Sequence, residues 1–279
     1  MEEITVKSIS KINIGLNIVS KREDGYHNLE TIFYPIQLHD VIKFRKSNKI
    51  NFSSNSDLLN SEKDNLILKA INILEKQTNK KLNVEIYLDK KIPIGAGLGG
   101  GSSNAAFTLK TINELFELNI SNKELRKLAL TLGSDVPLFL FDLPAYAESR
   151  GEKLKKINFK IRDYILIVNP NIHISTKWAF SKISPEIPQR SLSEIIENHP
   201  DDYRLWKELI KNDFEPIVLK EYSEIRELKE SLVELGSEFC LMTGSGSTFF
   251  AIFKETKLLN EAIEYLERKG YFVYSENPN

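Results

Sequence analysis

Between Pro93 and Lys110 the chain reads PIGAGLGGGSSNAAFTLK, and five of the first nine residues are glycine: Gly95, Gly97, Gly99, Gly100 and Gly101. Glycine turns through positive φ at little cost and lets a ligand approach the backbone. A glycine run that leads into a helix gathers free N–H groups at the positive end of the helix dipole, an arrangement suited to phosphate. Ser102 and Ser103 stand where a helix N-cap belongs, and their hydroxyls could cap the helix or reach a phosphate or a Mg²⁺ ion. Three readings compete. A flexible linker is rarely flanked so sharply by strand and helix. Gly95 to Gly100 satisfies G-x-G-x-x-G, yet Lys90-Lys91-Ile92-Pro93 separates it from the preceding strand, and that sheet reads as antiparallel. A triphosphate loop fits, although no Lys-Ser or Lys-Thr follows as in a Walker A loop, so a lysine would have to come from elsewhere.

Other residues offer chemistry with a plainer alternative beside it. Asp135, in TLGSDVPLFLF, is a charge placed between a helix and an apolar run; it reads as a proton acceptor or as a helix cap. Lys11 lies in an alternating strand, where a lysine is usually solvated. TGSGS (243–247) is tighter than an ordinary hairpin loop, with Gly244 and Gly246 as turn glycines at the least. Asp64-Asn65 precedes a helical pattern and reads equally as a cap.

The elements that must hold these residues follow from periodicity. Residues 3–19 and 31–46 read as strands, joined across Asp24-Gly25. Helices are expected over 64–77, after the glycine run, and from Ser121 to Gly133, where Ser121 and Glu124 form a capping box. LNVEIYL (82–88) alternates as a strand. Beyond a change of rhythm at 150–160, YILIVN (164–169) reads as a strand, with helical segments around 175–182, 191–197, 203–211 and 222–235. Strands at 238–242 and 248–253, a helix at 258–269 and a strand at 271–274 complete a ferredoxin-like order. The expected division is therefore residues 1–155 and 156–279.

Bulk composition sets limits. The 279 residues hold 41% hydrophobic and 28% charged residues, ordinary for a soluble globular chain. Lys+Arg 38 against Asp+Glu 39 argues against nucleic acid or an anionic membrane surface as partner. Cys240 is the single cysteine, so no internal disulfide or cysteine metal cluster can form, and a cytoplasmic setting is expected. No apolar run approaches the roughly 20 residues of a membrane helix.

PIGAGLGGGSSNAA resembles the second motif of the GHMP kinases. KINIGLNIVSKREDGYHNLETIF (11–33) is similar to the N-terminal motif of one branch of that family, and LMTGSGSTFF (241–250) to its third, glycine-rich motif. The resemblance runs from about residue 5 to residue 274. It implies an α+β chain with a ribosomal protein S5 domain 2-like N-terminal domain that binds ATP and a ferredoxin-like C-terminal domain. It also implies phosphoryl transfer from ATP, with Mg²⁺ expected, to the 2-hydroxyl of a small sugar alcohol carrying a cytidine diphosphate handle, a step toward isoprenoid precursors by the non-mevalonate route. By the same resemblance Lys11 and Asp135 form the catalytic pair. Pro93, Ile94, Gly95, Ala96, Gly97, Leu98, Gly99, Gly100, Gly101, Ser102, Ser103 and Asn65 bind ATP. Asn13, Tyr26, His27, Phe180, Gly244 and Ser245 bind the acceptor, with Tyr26 and Phe180 stacking on cytosine. Ala96 departs from the all-glycine form, which is tolerable if its φ is negative. Ser103 is a conceivable metal ligand, but no protein ligand set is named. The rivals are a homoserine- or mevalonate-type kinase of the same family, an NAD-binding oxidoreductase and a non-catalytic nucleotide sensor.

Overall fold

The computed structural model describes residues 3–61, 64–141 and 143–277. In chain order its elements are β1 (Glu3–Lys21), β2 (His27–Lys46), β3 (Asn51–Ser54), α1 (Asp57–Ser61), α2 (Leu66–Thr78), β4 (Val84–Asp89), α3 (Gly100–Leu115), α4 (Asn122–Leu132), a 3₁₀ turn (Pro137–Leu140), β5 (Ala145–Ser149), β6 (Lys153–Lys156), β7 (Tyr164–Asn169), α5 (Thr176–Lys182), α6 (Leu192–Asn198), α7 (Tyr203–Leu209), α8 (Glu215–Glu221), α9 (Ser223–Glu234), β8 (Phe239–Met242), β9 (Phe249–Phe253), α10 (Thr256–Arg268) and β10 (Phe272–Glu276). The chain forms two compact units. One comprises Met1–Ser10, Gln37–Ile94 and Gly99–Asp142; the other comprises Lys11–Ile36, Gly95–Leu98 and Leu143–Asn279.

In the first unit β4 pairs antiparallel with residues 41–46 of β2 and parallel with β3. Val84, Ile86 and Leu88 alternate into the core, as a half-buried strand requires. Helix α2 begins at Asn65, whose Oδ1 accepts the Ile67 N–H at 2.9 Å, and it buries Ile67, Ala70, Ile71 and Leu74. That helical stripe packs on α3, which contributes Ala105, Ala106, Leu109, Ile112 and Leu115. Helix α4 is capped by Ser121, which accepts the Glu124 N–H, and it stops at Gly133.

In the second unit the strands run β10-β7-β9-β8, every neighbour antiparallel. The first and third strands of this ββββ set lie side by side in the middle, the ferredoxin-like arrangement expected. Leu166, Val168, Phe249, Ala251 and Phe253 from the sheet meet Val218, Ile225, Leu228, Leu232, Leu259, Ala262 and Leu266 from α8, α9 and α10 in one core. Each fully buried large apolar side chain there contributes about 1.5–3 kcal/mol. Residues 29–33 of β2 pair with β5, and β5 with β6.

Five elements escape periodicity. β3, α1 and β5 are too short to show it. β6 reads KLKK, an edge strand with lysines in place of an apolar face. In α8, Pro216 looks like a breaker but stands in the first turn, where a missing N–H costs nothing.

Candidate active site

The second unit builds a polar cradle around Lys11. Its side chain is 2% exposed. Nζ donates to the Asn13 Oδ1 at 2.7 Å and to the Gly97 carbonyl at 2.6 Å, and it lies 5.6 Å from the centre of the Phe33 ring. The Lys11 backbone N–H donates to the Leu98 carbonyl. The glycine run is thus tied to β1 at both the main chain and the side chain of Lys11. Asn13 is held in turn. Its N–H donates to the Thr243 Oγ1 at 2.8 Å, its Nδ2 to the Thr31 Oγ1 at 2.9 Å, and Thr31 donates to the Gly15 carbonyl at 2.6 Å. All are buried. A buried ammonium hydrogen-bonded to oxygens such as these suits a site where negative charge develops.

The third glycine motif lies against the second within this unit. Gly97 has φ +77°, and a methyl on it would run into the Thr243 carbonyl oxygen; one on Gly244 would meet the Gly97 Cα at 3.2 Å. Gly95, at φ +68°, faces the His173 ring. The approaches of Gly97 to Thr243 and Gly244 are backbone on backbone, which only glycine allows. Ala96, between them, is buried and is not among the residues with positive φ, so its methyl is tolerated as expected. Ser245 hydrogen-bonds Thr176 through their hydroxyls at 3.0 Å.

Among the described residues no hydrogen bond uses the main-chain N–H groups from Ile94 to Ser102. Helix α3 starts sooner than expected: its N-cap is Gly99, at φ +72°, and neither Ser102 nor Ser103 caps it. The reason is packing. With only hydrogen at Gly100, the first turn settles on Ile92 and Lys90, where a Cβ would meet their side chains at 3.0 and 3.1 Å. Ser103 lies a turn inside the helix, fully buried, and its Oγ accepts from the Ser8 hydroxyl at 2.8 Å. Beneath the loop, Asp40 is fully buried. Its Oδ1 accepts the N–H groups of Lys91 (2.7 Å) and Ile92 (2.8 Å), and its Oδ2 accepts from the Lys90 Nζ at 2.8 Å. Lys90 also donates to the Ile92 carbonyl. Burial pushes the Lys90 ammonium below the usual lysine range, with Asp40 opposing that shift.

Asp135 belongs to the first unit. It is half-buried in the turn between α4 and the 3₁₀ turn, closed by Val136 N–H to the Gly133 carbonyl. The capping position of the 3₁₀ turn is Val136, with no side-chain cap, so Asp135 is not a helix cap. Pro93 and Ile94 begin the loop, Ile94 exposed.

Tyr26 and His27 point to different partners. The His27 ring stacks on Phe180 with centroids 5.0 Å apart and planes at 23°, and Phe180 meets Phe214 edge-on. Burial, then Lys21, lowers the His27 pKa from its ordinary value. Tyr26 is 50% exposed, with the Arg150 guanidinium 3.7 Å from its ring centre. Periodicity gave no hint of Arg150, Thr31, Thr243, Asp40 or Lys90; each matters through a partner distant in sequence.

A glycine loop with free amides leading into a helix, and a buried lysine bound to it, defines a nucleotide-dependent phosphotransferase class. Comparison with known proteins agrees. The description "GHMP kinases N terminal domain" matches residues 65–142, and "GHMP kinases C terminal" matches residues 191–271. The chain is 41% identical over 258 residues to 4-diphosphocytidyl-2-C-methyl-D-erythritol kinase of Bacteroides thetaiotaomicron, covering 90% of this chain and 93% of the relative. It is 37% identical over 281 residues to the protein of the same name from Thermodesulfovibrio yellowstonii, covering 96% and 95%. A crystal structure of 4-(cytidine 5'-diphospho)-2C-methyl-D-erythritol kinase superposes with a TM-score of 0.80 at 28% identity, covering 98% of both chains. A homoserine kinase from Cytophaga hutchinsonii shares the fold, with a TM-score of 0.68 at 18% identity over 100% of this chain and 96% of that one. The chain belongs to the GHMP kinases, and within them to the 4-diphosphocytidyl-2-C-methyl-D-erythritol kinases.

Proposed function

We infer that the chain transfers the γ-phosphoryl group of ATP to the 2-hydroxyl of 4-diphosphocytidyl-2-C-methyl-D-erythritol, releasing ADP and the 2-phosphate, a step of the non-mevalonate route to isoprenoid precursors. The observation that carries this is the run of free amides from Ile94 to Ser102, tied to a buried lysine through Gly97. An alternating strand alone would leave Lys11 in water. Here it is buried and oriented, which suits a cation that steadies negative charge on the acceptor oxygen. The 2-hydroxyl oxygen attacks the γ-phosphorus, the bond to the β–γ bridging oxygen breaks, and the hydroxyl proton passes to Asp135. The amides of residues 94–102 hold the phosphates, and Asn65 stands near the base. Asn13, Gly244 and Ser245 meet the acceptor, and Tyr26, His27 and Phe180 receive its cytosine.

A Mg²⁺ ion would supply charge neutralisation on the ATP phosphates. Among the described residues no group of three or more His, Cys, Asp or Glu could hold a metal. Ser103 is buried against Ser8. A division of labour between residues 1–155 and 156–279 is supported by the two family matches, one on each side of residue 155. A cytoplasmic setting is supported by the unpaired Cys240. No helix among the described residues is long and apolar enough to cross a membrane.

Incubation with ATP, Mg²⁺ and a panel of alcohols, read by mass spectrometry, tests the acceptor. One added phosphoryl group on the cytidine-bearing alcohol, with homoserine and mevalonate unchanged, is expected. Phosphorylation of homoserine or mevalonate in its place would overturn the assignment.

A further inference from the structure

Asn212 lies outside every glycine motif, between α7 and α8, and is 1% exposed. Three of its four hydrogen-bonding directions are used. Nδ2 donates one hydrogen to the Met242 carbonyl at 2.7 Å and the other to the Gly244 carbonyl at 2.8 Å, while Oδ1 accepts the Phe214 N–H at 3.0 Å. The two carbonyls flank Thr243. Thr243 in turn accepts the Asn13 N–H, bonds the Asn13 Oδ1 at 3.3 Å, and presents its own carbonyl beside Gly97. One side chain therefore holds the carbonyls of both residues that flank the one orienting Asn13, and Asn13 accepts from Lys11.

The segment that carries Asn212 is itself stitched to β1. The Leu16 N–H donates to the Lys211 carbonyl and the Asp213 N–H to the Leu16 carbonyl, both at 2.9 Å, and the Asp213 Oδ2 accepts the Ile18 N–H at 2.7 Å. β1 is the strand of Lys11 and Asn13. Asn212 thus sets the TGSGS loop in register with that strand through bonds at both ends. A glycine loop with φ +58° at Gly244 and +90° at Gly246 has little rigidity of its own.

We propose that Asn212 is a positioning residue for the acceptor: it holds Thr243–Gly244 so that this loop and Asn13 receive the acceptor, without touching ATP or acceptor itself. The proposal rests on the function inferred above for the loop.

The test uses the full chain and three variants. Asn212→Asp keeps size and the bond from Phe214 but turns an oxygen toward the two carbonyls. Asn212→Ala removes every bond, and Asn212→Ser keeps one donor. Losing two hydrogen bonds to this loop raises the acceptor KM by about tenfold or more in N212A and N212D, while the KM for ATP stays within about twofold. N212S falls between wild type and N212A. In N212D the deficit shrinks as pH falls from about 8 to about 6. Burial among carbonyls, with Asp213 and Glu215 nearby in the chain and already paired with Lys211 and Lys229, raises that carboxyl's pKa, and its protonated form can donate. Amide exchange at residues 243–248 speeds up in all three variants. Lower melting temperatures with an unchanged acceptor KM, equal rises in both KM values, or an N212D deficit flat across that pH range would each overturn the proposal. A wild-type chain that exchanges slowly at 243–248 but fails to phosphorylate the acceptor would count against the inferred function instead, leaving the exchange data to judge Asn212.

Discussion

A methyl group on Gly97 would collide with the Thr243 carbonyl, and it would have to be carried at φ +77°. Left-handed backbone costs a side-chain-bearing residue about 1–2 kcal/mol, and the collision adds to it because backbone cannot swing away. Gly97→Ala should therefore lower the melting temperature modestly and turnover far more, by about 100-fold, since a displacement of about 1 Å at a reacting centre has that effect. Steady-state kinetics beside thermal denaturation check this; unchanged turnover would separate the loop from the chemistry. At this scale the sequence was informative where a residue type is restricted by backbone geometry. Gly95, Gly97 and Gly99 all take positive φ, and Ala96 does not. It was silent on Thr31 and Thr243, because a buried threonine becomes part of a site only through a partner that folding brings to it. Lys11 shows the same limit: alternation makes it a solvated strand residue, whereas packing buries it.

At the scale of elements, the glycine run is held up from below. Asp40 on β2 accepts both N–H groups that lead into Pro93 and pairs with Lys90, and Lys90 lies under the first turn of α3. Removing one partner of a buried ion pair leaves the other charge uncompensated, at about 3–5 kcal/mol. Asp40→Ala should lose stability of that order in denaturant unfolding, and the KM for ATP should rise with it because the loop start loses its anchor. A loss below about 1 kcal/mol would show that the pair bears no weight. Helices with a clear apolar stripe, such as α2 and α10, were legible within a few residues. The start of α3 was not: serines at 102 and 103 look like caps, but glycines at 100 and 101 allow the helix to begin earlier and pack closer. β6 was hidden because an edge strand of lysines carries no apolar alternation.

For the whole molecule, the ferredoxin-like order of the second unit was readable from four short apolar runs and their spacing, since a buried central strand must be apolar on both faces. The interleaving of the two units was not readable. Three stretches of chain belong to each, and β1, β2 and the glycine run all pass from one to the other, so no linker composition marks the crossings. The net charge of −1 provides no long-range attraction for two anionic substrates, which leaves their binding to local groups.

The central claim is that phosphate held by those amides is transferred with Lys11 and Asp135 acting on the acceptor hydroxyl. Its most direct test is the single-turnover rate of Asp135→Asn with saturating ATP, Mg²⁺ and 4-diphosphocytidyl-2-C-methyl-D-erythritol, in protein whose circular dichroism matches wild type. A rate lower by about 100-fold or more, the usual share of a positioned proton acceptor, is expected, with ATP binding intact. A rate within about twofold of wild type would contradict it.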